Sequence, residues 1–247
     1  MSPSQIEIQE GALIFGDAHY SHKRPELLEF IKTIESKKLQ IPQLILMGDV
    51  FDALFGGISY TQNENAEIVA LLKSISNSIE VIFLEGNHDF NLQAVFSNIK
   101  IFTINQQPLL CSYRDKKVYL AHGDFNGAFG YRVYTALIRN PTLLFILNII
   151  NNTSSNFILK KLDAYLGIKD DCKEFTGFES YIENHLGLGI ECDYFIEGHF
   201  HQNRSIEFKN FTYINLAAFA CNQRYFVVNS SKDKELLEEK TFSKGIR

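Results

Sequence analysis

Five short apolar runs recur along the 247 residues: ALIFGD, QLILMGD, EVIFLEGN, KVYLAHGD and DYFIEGH. Each ends in a polar cluster beside a glycine: Gly16-Asp17-Ala18-His19, Gly48-Asp49-Val50-Phe51-Asp52, Gly86-Asn87-His88-Asp89, His122-Gly123-Asp124 and Gly198-His199-Phe200-His201. Continuous apolar runs of this length read as buried strands, and glycine lets the backbone turn sharply where they stop. In open α/β sheets, ligands sit beyond the carboxyl ends of the strands. The pattern therefore brings five sets of ligand-type side chains to one rim. Five of the seven histidines lie in these clusters. His22 reads as a loop histidine, and His185, in YIENHLG, as helix-end packing or capping.

The first three runs alternate with helical segments. RPELLEFIKTIESKK places Leu27, Leu28, Ile31 and Ile34 on one face, with Pro25 suited to the first turn. NENAEIVALLKSIS does the same with Ile68, Leu71, Leu72 and Ile75. Apolar strands between helices argue for an α/β sheet covered on both faces. The stretch from about 125 to 190 is helix-like and aromatic, and strand patterning returns in FTYINLAAFA and RYFVVNSS. KDKELLEEK reads as a solvated edge or helix. At this length and 45% hydrophobic content, one domain spanning 1–247 with an insertion at about 125–190 is expected.

Several classes are set aside. Net charge is −5 and no basic stripe is present, so nucleic acid is not an expected partner. MSPSQIEIQEGALIFGD lacks the basic segment and apolar core of a signal peptide, and the run PTLLFILNII is interrupted by Asn148. Cys111, Cys172, Cys192 and Cys221 are scattered without a CxxC pair, which points to reduced thiols in a cytoplasmic protein.

Carboxylate, amide and imidazole donors without cysteine suit Mn²⁺, Fe²⁺, Zn²⁺ or Co²⁺. Two ions about 3.5–4 Å apart need a shared ligand, which a carboxylate can supply. Asp49 is the natural bridge.

The ordered set of clusters resembles the calcineurin-like metallophosphoesterases, over roughly Ala12 to Phe226. The resemblance implies a four-layer α/β/β/α sandwich with two divalent metal ions, manganese foremost. It places Asp17, His19, Asp49 and His201 around one ion, and Asp49, Asn87, His122 and His199 around the other. Asp52 and Asp124 would orient these ligands from behind. His88 would face the substrate as a phosphate-stabilising group or general acid, with Asp89 fixing its orientation. The implied reaction is hydrolysis of a phosphate ester or anhydride without a covalent intermediate.

Within that family, HGDFNGAFGYRVYTALIRNPTLLFI is similar to the start of the helical insertion of the UDP-2,3-diacylglucosamine diphosphatases of lipid A biosynthesis. The matching positions are Gly130, Tyr131, Tyr134, Pro141 and the run Leu143 to Ile150. The resemblance implies a helical lid over acyl chains, with Tyr131 by the substrate. Arg132 and Arg139 are nearby candidates for phosphate contact. Between Phe125 and Lys169 the bases Arg132, Arg139, Lys160, Lys161 and Lys169 face the single acid Asp163. Such a patch suits a diphosphate lipid or transient contact with an anionic inner-membrane surface, so a peripheral location is also expected. Two positions depart from the usual pattern of that subfamily. His88 stands where arginine is usual, and Gln202-Asn203 follows GHFH in place of arginine and proline. Histidine can shuttle a proton, and arginine cannot. A phosphodiesterase or phosphatase for another nucleotide, lipid or protein phosphate is thus the alternative. A non-catalytic scaffold is a third reading, and no ligand is lost here to favour it.

Overall fold

A computed structural model describes residues 6–167, 170–186, 190–229 and 236–242. In chain order the first strands are β1 (Ile6–Glu7), β2 (Leu13–Phe15), β3 (Gln43–Leu46), β4 (Leu54–Phe55), β5 (Glu80–Leu84), β6 (Asp89–Phe90) and β7 (Lys100–Phe102). They are followed by β8 (Leu109–Tyr113), β9 (Lys116–Ala121), β10 (Tyr194–Glu197), β11 (Arg204–Glu207), β12 (Thr212–Asn215), β13 (Arg224–Val228) and β14 (Leu237–Thr241). The helices are α1 (Glu26–Glu35), α2 (Ser59–Glu64), α3 (Ala66–Ser76), α4 (Phe129–Ile138), α5 (Pro141–Thr153), α6 (Phe157–Leu166) and α7 (Phe178–His185).

Two six-stranded sheets face each other. One has the order β14-β13-β2-β3-β5-β7, the other β1-β8-β9-β10-β12-β11. Strands β2, β3, β5 and β7 run parallel, and Ile14, Ile45 and Ile82 lie in one register row. Side chains alternate across a strand, so that row and its neighbours face one way. Ile14, Ile45, Ile82 and Leu84 meet Val118, Leu120 and Ile196 in the core between the sheets. Leu13, Phe15, Leu44, Leu46 and Phe83 point outward and are covered by Leu27, Phe30 and Ile31 of α1 and Ile68 and Leu72 of α3. On the opposite outer face, Phe178 and Ile182 of α7 cover Phe195 and Tyr213. The molecule is therefore a four-layer α/β/β/α sandwich. The second cover of each sheet is the other sheet, not a second helix layer.

The expected helices form with local differences. Pro25 sits at the N-cap of α1, just before its first turn. The second predicted helix is broken at Asn65, whose side chain donates to the carbonyls of Ala53 and Thr61. This leaves α3 to bury Ile68, Val69, Leu72 and Ile75. Residues 232–235 of the charged C-terminal run lie outside the described residues, and residues 237–240 belong to β14, an edge strand antiparallel to β13.

The thiol expectation is corrected. Cys172 and Cys221 form a disulfide across 49 residues, whereas Cys111 and Cys192 are free and buried. Sequence spacing gives no sign of this pair, because only the folded chain brings the segment after α6 beside the turn after β12.

Helices α4 to α6 lie between β9 and β10. Leu144 and Leu159 pack on Phe55, Ile58 and Phe90, at the small β4–β6 pair. Asn140 caps α5 by accepting from Thr142 N and Leu143 N. Among the described residues no single helix is long and apolar enough to cross a membrane; α4 and α5 reach that composition only together, across a 60° bend.

Candidate metal centre

The five clusters meet at one edge of the sandwich, but they come from both sheets. The turns after β2, β3 and β5 belong to one sheet, and those after β9 and β10 to the other. Asp17, His19, Asp49, His199 and His201 all have φ between +45° and +62°. Left-handed backbone at residues other than glycine costs about 1–3 kcal/mol each and persists only where the surroundings over-determine it.

Backbone hydrogen bonds provide that constraint at four of the five: Asp17 N donates to the Gly48 carbonyl and His19 N to the Asp49 carbonyl, each at 3.0 Å, while Asp49 and His199 donate to carboxylates. Asp89 accepts from the N–H groups of Asp49 (3.1 Å), Val50 (2.7 Å), Phe51 (3.3 Å) and Gly86 (3.0 Å). Asp17 Oδ2 accepts from His199 N at 2.9 Å, which joins the two sheets, and Asp49 Oδ1 accepts from His88 N at 2.8 Å. Gly86 is needed for closeness, since a Cβ there would stand 2.2 Å from Asp49 Oδ1.

Three histidines share one device. His122 Nδ1 donates to the Met47 carbonyl (2.9 Å), His88 Nδ1 to the Asp52 carbonyl (2.8 Å), and His201 Nδ1 to the Asp171 carbonyl. A carbonyl can only accept, so each ring carries a proton on Nδ1 and turns Nε2 away from that carbonyl, toward the rim. This is the arrangement that metal-binding histidines commonly have. His122 Nε2 lies 3.4 Å from both Asn87 Oδ1 and Asp49 Oδ2, and His201 Nε2 lies 3.0 Å from Asp17 Oδ1.

Donor atoms of Asp17, His19 and His201 form one group within 4.8 Å of one another, and those of Asp49, His122 and His199 form a second. Both ring nitrogens of His19 are buried without a hydrogen-bond partner among the described residues. Buried polar atoms are ordinarily satisfied. Oxygen and imidazole donors converging in this way, with no thiolate, fit hard-to-borderline divalent cations. Burial alone would raise the Asp49 carboxyl, but the imidazoles of His122, His88 and His19 outweigh it and hold Asp49 well below the usual carboxylate range. Desolvation, then the neighbouring His122, push His199 down to about 3, in keeping with a neutral ring able to ligate.

Other expected residues take varied places. Asp52 Oδ1 is 3.5 Å from His19 Nδ1 and 3.9 Å from Arg24 Nη1, behind the first group. Asp124 Oδ2 accepts from the Tyr131 hydroxyl at 3.2 Å. Asp89 does not orient His88 as expected, because consecutive side chains diverge and both Asp89 oxygens are occupied by backbone N–H groups. The Asp52 carbonyl holds His88 instead. Arg139 is part-buried, ties the rim together and lines the cavity at Asp124, with Nε and Nη1 lacking a hydrogen-bond partner among the described residues. Its Nη2 donates to the Gly86 carbonyl (2.8 Å), lies 3.5 Å from Asp124 Oδ2, and its guanidinium stacks over Phe90 at 5.1 Å. Arg132 is exposed and lines a cavity separate from the groove beside His88.

Sequence reasoning missed several supports. Arg24 pairs with Asp171, whose backbone carbonyl holds His201. Gln107 accepts from His122 N at 2.6 Å and donates to the Glu85 carbonyl. Asn215 accepts from Gln202 N and donates to the carbonyls of Glu197 and Gly198, fixing the GHFH turn. Only Asn215 left a sequence signal, as an amide ending the apolar strand TYIN.

A groove of about 610 Å³ opens beside Asn87 and His88. Its walls include Tyr131, Leu137, Leu143, Leu147, Ile158 and Leu162 of α4 to α6.

The profile of the calcineurin-like phosphoesterases matches residues 12–203. The chain belongs to that family. Among curated relatives of this phosphoesterase, the UDP-2,3-diacylglucosamine hydrolase of Pseudomonas fluorescens SBW25 is 28% identical over 154 residues, 61% of each chain. That of Aromatoleum aromaticum is 29% identical over 133 residues, 53% of this chain and 54% of the relative. The chain thus spans about three-fifths or less of the length of these relatives. Among solved structures, a novel archaeal phosphodiesterase superposes with a TM-score of 0.45 at 12% identity, over 94% of this chain and 99% of that one.

Proposed function

We propose that this phosphoesterase hydrolyses UDP-2,3-diacylglucosamine to UMP and 2,3-diacylglucosamine 1-phosphate, a step of lipid A biosynthesis. The observation that carries this reading is the apolar groove that abuts the metal donor Asn87 and the substrate-facing His88. Two acyl chains need a wide apolar surface, since each CH₂ removed from water is worth roughly 0.8 kcal/mol. The curated relatives bearing that name support the same substrate.

In the proposed step, water oxygen bonds to the α-phosphorus and the bond from that phosphorus to the bridging oxygen breaks. The sugar 1-phosphate leaves with the bridging oxygen. Two divalent ions, manganese foremost, would be held by Asp17, His19, Asp49, Asn87, His122, His199 and His201, and would supply positive charge on the phosphoryl oxygens and an activated water. His88, its Nδ1 anchored on the Asp52 carbonyl, turns Nε2 toward Asp49 at 4.0 Å and stands at the groove mouth to meet the phosphate. Phe145, Ile149 and Phe157 are exposed and lie outside the groove lining, so they suit transient contact with a membrane surface.

Mn²⁺-loaded protein is expected to release UMP from UDP-2,3-diacylglucosamine, and absence of release rejects the reading. His88 favours a second reading, a phosphodiesterase acting on another substrate. A panel of aryl phosphodiesters tests it. Turnover of the panel well above that of the lipid nucleotide, together with about a 10²-fold loss in His88→Asn, would establish this alternative.

A further inference from the structure

A second cavity, of about 640 Å³, runs along α4 and has a different lining. It is walled by Phe125, Phe129 and Tyr131, the amides Asn105 and Asn140, and two arginines, the exposed Arg132 and, near Asp124, Arg139. It reaches the rim at Asp124, two residues beyond His122, and shares Tyr131 with the apolar groove. Tyr131, tied to Asp124 through its hydroxyl, therefore stands between the two spaces.

The groove is apolar, whereas this cavity offers rings, amides and cations. Aromatic faces stack on nucleobases. A side-chain amide presents a donor and an acceptor together, which matches the edge of a pyrimidine. Asn105 is the better placed of the two, because Asn140 Oδ1 already caps α5. A guanidinium on a flexible, exposed stem can follow a phosphate. We propose that this cavity receives the nucleoside 5′-monophosphate half of the substrate, with its base among Phe125, Phe129 and Asn105 and its phosphate directed to the rim at Asp124. The inference rests on the hydrolase reading above. It divides the substrate across Tyr131, with acyl chains on one side and nucleoside on the other.

Calorimetry on the Mn²⁺-loaded full chain compares UMP with inorganic phosphate, which shares the metal-directed group but has no base. UMP is expected to bind about tenfold more tightly, the scale of one stacked base. Phe129→Ala and Asn105→Ala are expected to bring UMP close to phosphate while phosphate affinity and melting temperature hold. Both positions are exposed, Phe129 to 81%, so neither change should disturb folding. Equal binding of UMP and phosphate by the parent protein overturns the assignment, as does a preference that survives both substitutions. The lipid substrate separates this inference from the reading it rests on. Protein that prefers UMP but releases none from the lipid nucleotide loses the proposed function and keeps this site. Protein that releases UMP without the preference loses this site alone.

Discussion

The metal rim and the α4–α6 lid lie side by side and are built on opposite plans. The rim is over-determined: of its five left-handed residues, Asp49 and His199 donate their N–H groups to carboxylates and Asp17 and His19 to backbone carbonyls, and three imidazoles are held by backbone carbonyls. The lid is anchored by Leu144 and Leu159 on Phe55, Ile58 and Phe90, with polar ties such as Ser59 N to Asn148 Oδ1 and Arg139 to the Gly86 carbonyl. Much of its apolar surface stays exposed, including Phe145 at 63% and Phe157 at 64%. The difference follows from what each part must do. Chemistry on phosphorus demands donors held within about 0.5 Å. Under the proposed function the lid grips flexible acyl chains, which demands mainly area, and many arrangements of Leu, Ile and Phe provide it.

The largest expected effect strikes the rim. Asp49→Asn removes the carboxylate that faces His122 and also accepts from His88 N. Metal ions contribute several kcal/mol of charge stabilisation, so at 1.4 kcal/mol per tenfold the loss in kcat should reach about 10³-fold or more. Elemental analysis should show metal content falling in parallel; full metal occupancy in this variant would break the assignment of Asp49 as the shared ligand. A smaller effect is expected in the lid. Leu147→Asp places a charge in the groove wall and should raise KM for the lipid nucleotide by about 10- to 100-fold, the value of one buried leucine. KM for a soluble aryl phosphodiester should rise by a much smaller factor. Equal losses on both substrates would mean that the groove does not hold acyl chains.

The two regions also differ in how far the sequence discloses them. The rim is legible because each donor cluster directly follows an apolar strand, a local pattern that survives without knowledge of the sheets. That those strands belong to two sheets is not legible, because a buried strand reads alike under a helix or another sheet. The backbone partners are hidden for another reason. The carbonyls of Met47, Asp52 and Asp171 carry no side-chain signature, so the sequence points to the neighbouring Asp89 and not to the Asp52 carbonyl as the holder of His88. Arg139 shows the converse. A cation near a phosphate site suggests a ligand contact, and the ties of Arg139 to the Gly86 carbonyl and Asp124 are added only in the folded chain. In the lid the aromatic composition is plain, while the faces of α4 that divide groove from cavity emerge only once α5 and α6 are in place. The Cys172–Cys221 pair lies beyond sequence spacing altogether.

A pair of glycines offers the finest test of the contrast. In Gly86→Ala the added Cβ would meet Asp49 Oδ1 at 2.2 Å and Asp49 N at 2.7 Å. Neither atom can retreat, because Asp49 N is bonded to Asp89 and Asp49 Oδ1 to His88 N. Overpacking of this kind costs typically about 1–3 kcal/mol, which should appear as a lower melting temperature and weaker metal affinity together. Gly130, in the first turn of α4, has nothing within 4 Å of its ideal Cβ. Gly130→Ala should therefore stabilise the helix by about 0.5–1 kcal/mol through the reduced freedom of the unfolded chain, with metal affinity unchanged. Thermal melts with and without Mn²⁺ measure both. If Gly86→Ala is as benign as Gly130→Ala, the rim has slack to shift Asp49, and the rigidity ascribed to Asp89 and its backbone donors is wrong.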